Sequence, residues 1–149
     1  MSRTQETPRP CVCTTVRTTS RLLARLYDDA LQGSELNVTQ LAVLRAIVRM
    51  PDEPLSQVAS SLSMERTSLY RAVSTMEASG WVRVAKGKDA RSRSAVVTRK
   101  GEGVLDRAAP HWDRMQSELV QRFGRRRWQA LVQELDELAQ TAVSLNDNQ

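Results

Sequence analysis

Residues 55–86 read LSQVASSLSMERTSLYRAVSTMEASGWVRVAK, and this stretch decides the fold. Two sets of apolar residues recur in it at helical spacing, one on each side of Ser63: Leu55, Val58, Ala59 and Leu62, then Leu69, Val73 and Met76. The pattern predicts two helices that meet at a tight turn and pack their apolar faces on each other.

The second of these helices is left with a polar outward face. Its members are short or donor-bearing side chains: Glu65, Arg66, Thr67, Ser68, Arg71, Ser74 and Thr75. Such side chains suit a helix that enters the major groove of DNA, where base edges and phosphates accept hydrogen bonds. We therefore take Arg66, Thr67, Ser68, Arg71 and Ser74 as candidate DNA-binding residues.

The charge of the chain is concentrated in the same region. Between Leu55 and Gly101 there are nine Lys or Arg residues and three Asp or Glu residues, whereas the whole chain has a net charge of only +5. A local basic excess is typical of a surface that binds phosphates. A solvated basic face without a partner is the alternative, and the neighbouring helix pair favours DNA.

A basic hairpin is predicted directly after the helix pair. Residues 81–86 and 94–98 have the alternation or the β-branched content of strands, and the glycine-led segment GKDARSR joins them. Three cations at its tip are placed to contact phosphates or a minor groove: Lys88, Arg91 and Arg93. Asp89 is interpreted as a local anchor that accepts hydrogen bonds from Arg91 or from the turn backbone.

This arrangement resembles the multiple antibiotic resistance regulator (MarR) family of winged-helix transcription factors. The wing signature of that family is matched by Asp89, Arg91, Val97, Thr98 and Gly101. Val97 stands where Leu is usual, and Tyr70 stands where a small polar residue is more common, which bears on base preference. The resemblance covers residues 11–145 and implies a mainly α fold with a small β-hairpin wing, a winged helix-turn-helix.

The remaining chain is divided accordingly. Residues 1–10 are expected to be a disordered tail, 11–35 an N-terminal dimerisation helix, 36–101 the winged helix-turn-helix domain and 102–146 the C-terminal dimerisation helices. For the second helix, Thr39 is the expected N-cap, Val38 is expected to pack on Val43, and the buried stripe is Leu41, Leu44, Ile47 and Val48.

Two long helices are expected after the wing. Thr98 is expected to cap the first of them, and Pro110 to kink or divide it. Gly124 is expected to end it before a final helix with a regular apolar seam. Apolar helices at both ends of a small unit need a surface to bury against, and the resemblance implies a second copy of the chain.

In a two-fold dimer, the two copies of the helix with the candidate DNA-binding residues lie roughly 34 Å apart, about one turn of DNA. This spacing predicts a pseudo-palindromic operator. Promoter occupancy blocks polymerase, so the expected activity is that of a repressor. Release is expected through a small ligand or through thiol oxidation. In the family, small and often aromatic ligands bind where the dimerisation helices meet the winged helix-turn-helix domain. The residues to test for such a site are Tyr27, His111 and Trp112. Core packing for Tyr27 and Trp112, and a surface position for the one histidine, are the alternatives.

Cys11 and Cys13 are the only cysteines. Their spacing matches no common zinc site. Apolar packing at the start of the first helix, or near a dimer seam, is one interpretation; the other is a thiol switch, since some relatives in the family sense oxidants through an N-terminal cysteine.

Other classes of protein fit the sequence less well. The chain has one His and lacks a Gly-rich phosphate loop, a nucleophile elbow and a metal-ligand cluster, so we expect no enzyme activity, no cofactor and no metal. A thiol redox protein using Cys11 and Cys13, or a helical interaction module without DNA binding, is the alternative. With no apolar run long enough for a bilayer and no signal-peptide pattern, a cytoplasmic protein is expected.

Overall fold

The computed structural model describes residues 10–87 and 92–147. The predicted wing residues Lys88, Asp89 and Arg91 therefore lie outside the described residues. So does the predicted tail (1–10), except for its last residue, Pro10. The elements in chain order are α1 (Val12–Ala30), α2 (Val38–Arg49), α3 (Leu55–Ser61), α4 (Arg66–Ala78), β1 (Val82–Lys86), β2 (Arg93–Val97), α5 (Arg99–Phe123) and α6 (Arg125–Asp147). The expected class, mainly helical with one antiparallel hairpin, is confirmed.

Contacts divide the chain into two compact units, residues 1–111 and 112–149. The first unit contains α1 to α4, the hairpin and the first half of α5. Its core consists of apolar side chains from each of these helices and from both strands, with Leu44, Val43, Leu69 and Val104 among those fully buried. The second unit contains the end of α5 and all of α6, and no residue of α6 is buried within the described chain.

The start of α2 differs from the prediction. Asn37, not Thr39, is the N-cap: its side chain accepts a hydrogen bond from the Gln40 backbone N–H at 2.8 Å, and the Gln40 side chain accepts one from the Asn37 N–H at 3.0 Å. This reciprocal pair satisfies two helix-start donors, which a cap at Thr39 would leave open. Val38 is therefore the first residue of the helix, and its N–H donates to the Asp28 carboxylate at 2.7 Å.

The buried stripe of α2 also needs one correction. Leu41, Leu44 and Ile47 are buried as predicted, but Val48 is 54% exposed. Val43 and Ala46 are buried instead. The helix is covered on a wider side than the predicted stripe because α3, α4 and β2 all contact it.

The helix pair forms as predicted. Leu55, Val58 and Ala59 of α3 and Leu69, Val73 and Met76 of α4 are all buried. Leu62, also predicted on the packed face, is the C-cap residue of α3 and is only half-buried. The turn between the helices is fixed by Ser63, which has a positive φ of 49°, and by a hydrogen bond from the Met64 N–H to the Ala59 carbonyl at 2.9 Å. The tight connection sets α4 across α3 with one face of α4 turned inward.

Thr98 caps α5 as predicted and also ties it to the chain between α4 and β1. Its hydroxyl oxygen accepts from the Gly101 N–H at 3.1 Å, while the hydroxyl donates to the Gly80 carbonyl at 2.6 Å. Gly101 is needed for another reason: a Cβ on it would lie 2.1 Å from the Trp81 carbonyl oxygen and 2.8 Å from Val97 Cγ1. The signature Thr98 and Gly101 thus allow the backbone of α5 to approach the chain just before β1.

The long helix is continuous. α5 runs through Pro110 to Phe123, so the predicted division at Pro110 does not occur, although the two compact units separate just after it, between His111 and Trp112. Gly124 ends α5 as predicted, with a positive φ of 101°. Such a φ costs a glycine little, which explains the sharp break before α6.

Two glycines in the first turns of α5 provide a matched test of this packing. We expect Gly101→Ala to lower the free energy of unfolding by about 1–3 kcal/mol, because the added methyl group meets backbone rather than a movable side chain. Gly103→Ala should raise it by about 0.5–1 kcal/mol, since alanine is the better helix residue and only the Arg107 guanidinium lies near, at 3.5 Å. Denaturant unfolding of both variants at one protein concentration makes the measurement, and a Gly101→Ala protein as stable as the unsubstituted chain would contradict it.

Candidate nucleic-acid interface

One side of α4 is fixed inward and the other is free. Leu69, Val73 and Met76 are buried, whereas the five candidate residues of this helix are all exposed: Arg66, Thr67, Ser68, Arg71 and Ser74. Neither Arg66 nor Arg71 is a member of the two ion pairs found among residues 10–87 and 92–147. Two guanidinium groups that are exposed and unpaired in this way are available to an anionic partner.

The first turn of α4 has no side-chain cap. Glu65 is its N-cap residue, but the Glu65 side chain accepts no hydrogen bond from the helix. The N–H groups of the first turn therefore point outward beside Arg66 and Thr67 without a side-chain acceptor. Backbone N–H groups at a helix start, together with the helix dipole, favour the binding of a phosphate.

The hairpin places two cations directly opposite each other. Lys86 ends β1 and is paired in register with Arg93, the first residue of β2, and both side chains are exposed. Like charges in this position destabilise a hairpin unless an anion lies between or beside them. Arg93 was predicted as a binding residue, whereas Lys86 was missed, because only the strand register reveals that the two are neighbours.

The hairpin is held close to the end of α4 by backbone and side-chain hydrogen bonds. The Trp81 N–H donates to the Met76 carbonyl at 2.9 Å, and the Val84 N–H donates to the Glu77 carboxylate at 3.0 Å. Lys100 donates to the Ser79 carbonyl at 2.8 Å. Glu77 and Lys100 thus have structural hydrogen-bond partners, a role that the charge count did not reveal.

Of the residues proposed for a small ligand, Tyr27 and His111 lie in the first unit and Trp112 in the second. Tyr27 is 8% exposed and belongs to the core of the first unit, and this burial raises the pKa of its phenol. His111 is half-buried in the first unit, and Trp112 belongs to the second. A groove of about 280 Å³ lies in the first unit and is lined by neither Tyr27 nor His111; its walls are Arg45, Val48, Arg49, Leu105, Asp106 and Ala109.

Both cysteines are exposed, so packing against the chain's own core does not account for them. Packing near a dimer seam and a thiol switch remain the two interpretations. Cys11 is the N-cap residue of α1. The polar groups of Thr14 and the backbone of Cys13, close to the sulfur, lower the pKa of the Cys11 thiol from its ordinary value. A thiol near a helix start with a lowered pKa has more of the reactive thiolate at neutral pH.

Among residues 10–87 and 92–147, no group of three or more His, Cys, Asp or Glu side chains is arranged to hold a metal ion. None of the helices in these ranges combines the length and apolar character required to cross a bilayer.

Known proteins of similar sequence and structure are transcription regulators. A family model described as the IclR helix-turn-helix domain matches residues 40–85, which span α2 to β1. The uncharacterized HTH-type transcriptional regulator YwoH of Bacillus subtilis (strain 168) is 25% identical over 87 residues; the match covers 58% of this chain and 64% of YwoH, so the chain spans less than two thirds of that relative.

Two solved structures extend the likeness to nearly the whole chain. The M. tuberculosis transcriptional regulator MosR, crystallised in complex with DNA, is 34% identical, with a TM-score of 0.83 over 91% of this chain and 98% of MosR. MarR itself shares the fold at 19% identity, with a TM-score of 0.74 over 100% of this chain and 99% of MarR. The 34% identity with MosR over 91% of the chain, together with the shared fold, shows that the chain belongs to the MarR family of winged-helix transcription regulators.

Proposed function

We propose that this protein is a transcription repressor that binds a pseudo-palindromic DNA operator as a homodimer. The observation that carries the proposal is the exposed polar side of α4, with its unpaired arginines, above a fully buried apolar side. The DNA complex of MosR supports it, because MosR is similar over almost its full length.

Within this proposal the residues divide into two groups by chemistry. Arg66, Lys86, Arg93 and the first N–H groups of α4 contact phosphates and set the register of the helix on the duplex. Thr67, Ser68, Arg71 and Ser74 face the base edges, where the bidentate geometry of an arginine suits guanine. Lys88 and Arg91 at the wing tip, with Asp89 as their anchor, keep the role predicted from the sequence.

The homodimer is supported by large apolar side chains that are exposed in the single chain. On α6 these are Leu131, Val132, Leu135, Leu138, Val143 and Leu145, each between 37% and 63% exposed. On α1 they are Val12, Val16, Leu22 and Leu26, each between 37% and 60% exposed. Apolar surface of this extent is unfavourable in water, and a second copy of the chain would bury it.

Two routes of release belong to the proposal. In the first, peroxide oxidises the Cys11 thiolate to a sulfenic acid, and attack by the Cys13 thiol then forms a disulfide and expels water. Because Cys11 lies outside the first helical turn, the two thiols are not held on opposite sides of a helix. In the second, a small ligand with aromatic character binds beside Tyr27, His111 or Trp112 and shifts the two copies of α4.

Selection of bound duplexes from a pool of genomic fragments tests the proposal as a whole. We expect enrichment of sites whose two halves are related by two-fold symmetry. Parallel selections with peroxide and with aromatic compounds identify the route of release. Failure of the full chain to retain any duplex at low salt would contradict the proposal.

Arg71 is the first residue to test for base readout. We expect Arg71→Ala to weaken binding to the selected operator by about 1–3 kcal/mol and to relax the preference for one base pair in each half-site, because a bidentate contact is lost. Arg122→Ala is the control, since it also removes one exposed arginine, but one that is paired with Glu118. Titration against the operator and its single-base variants makes the comparison; an unchanged base preference would exclude Arg71 from readout.

Lys86 and Arg93, opposite each other in the hairpin, should favour DNA binding while lowering the free energy of unfolding. We expect Lys86→Thr to weaken binding to operator and unrelated duplexes alike, while raising the free energy of unfolding by about 0.2–1 kcal/mol through loss of the like-charge pair. Arg83→Thr is the control for stability, because Arg83 is paired with the uncharged Val96. Lower stability of Lys86→Thr than of Arg83→Thr would show that Lys86 is structural.

The apolar side of α6 should control the assembly state. We expect Leu135→Glu with Leu138→Glu to produce a monomer that has lost nearly all affinity for the operator, because charged side chains disfavour the contact between copies. Gln140→Glu, on an exposed polar position of the same helix, should remain a dimer. Sedimentation velocity measures the mass, and a dimeric double variant would exclude this side of α6 from the interface.

A further inference from the structure

Tyr70 is the side chain of α4 that the proposed contacts leave unexplained. The other large apolar residues of this helix, Leu69, Val73 and Met76, are 0–2% exposed, but Tyr70 is 37% exposed. Its position does not follow from packing, because the three buried residues already supply the inner side of the helix. An exposed aromatic ring on a surface otherwise made of short polar side chains suggests an apolar contact with the partner of that surface.

The neighbours of Tyr70 locate this contact. Residues three or four apart on a helix lie side by side, so Tyr70 is adjacent to Thr67 and Ser74, while Arg71 follows it in the chain. All four are exposed. Tyr70 therefore lies within the surface that faces base edges under the proposed function, on which this inference rests.

The chemistry of the major groove supplies one apolar group for such a ring. Base edges there present hydrogen-bond donors and acceptors, and the exception is the C5-methyl group of thymine. We propose that Tyr70 determines specificity by packing its ring against a thymine methyl group in each half of the operator. Arg71 and Tyr70 then read different properties of neighbouring base pairs, one by hydrogen bonds and the other by shape and apolar contact.

Replacement of single thymines by uracil tests the inference, since uracil pairs as thymine does but lacks the methyl group. Each thymine of the selected operator is replaced in turn, and binding is titrated at low salt, where phosphate contacts keep weakened variants bound. For the unsubstituted protein, we expect one thymine in each half-site whose replacement weakens binding by about three- to fivefold, as for one buried methyl group.

Two variants assign that effect to the ring of Tyr70. Tyr70→Phe keeps the ring, so the sensitivity to uracil should persist; Tyr70→Ser removes the ring, so thymine and uracil operators should bind equally. A uracil series without any sensitive position, sensitivity that persists in Tyr70→Ser, or its loss in Tyr70→Phe would each overturn the inference. These outcomes leave the proposed function standing, whereas absence of duplex binding by the unsubstituted protein would remove both. Thermal unfolding of the two variants confirms that each is folded.

Discussion

The burial of Leu69, Val73 and Met76 is the constraint on which the rest of the structure depends. These three side chains fix the rotation of α4 about its own axis, and this rotation decides that Thr67, Arg71 and Ser74 face outward. A helix that turned by one residue would bury polar groups and expose apolar ones at a cost of several kcal/mol. The same packing determines where the hairpin begins, because the Trp81 N–H is bonded to the carbonyl of Met76.

Electrostatics acts on the surface that this packing defines. Cations with internal partners have structural roles: Arg107 is paired with Glu35 at 2.5 Å, and Lys100 donates to the Ser79 carbonyl. The cations of α4 and of the hairpin ends differ, since Arg66 and Arg71 take part in neither ion pair of the described residues and Lys86 opposes Arg93. Unpaired cations on α4 and at the hairpin ends, together with the uncapped start of α4, would favour the binding of phosphates.

Much of this could be predicted from the sequence, because periodic apolar residues specify which side of a helix is buried. The α3–α4 pair, the Thr98 cap and the Gly124 break all follow from local patterns of this kind. Details that depend on contacts between distant segments, or on competition between neighbouring residues, could not be predicted from the sequence. Asn37 rather than Thr39 is the N-cap of α2 because it forms reciprocal hydrogen bonds with Gln40. Glycine is needed at position 101 because the Trp81 carbonyl approaches it closely. Lys86 became a candidate only once the strand register was known, and the exposure of Cys11 required the structure of α1.

In the proposed homodimer, a second copy of the chain covers the apolar side of α6 and presents a second α4 to the DNA. In this proposal, the dimer binds DNA through phosphate contacts and recognises its sequence through contacts with base edges. Affinity for the selected operator and for an unrelated duplex of equal length, each measured over a range of salt concentrations, tests it most directly. The account predicts that log K falls linearly with log salt for both, with a slope that corresponds to several phosphate contacts, and that the operator remains at least about 10³-fold tighter. Affinity that does not change with salt, or that is equal for the two duplexes, would contradict it.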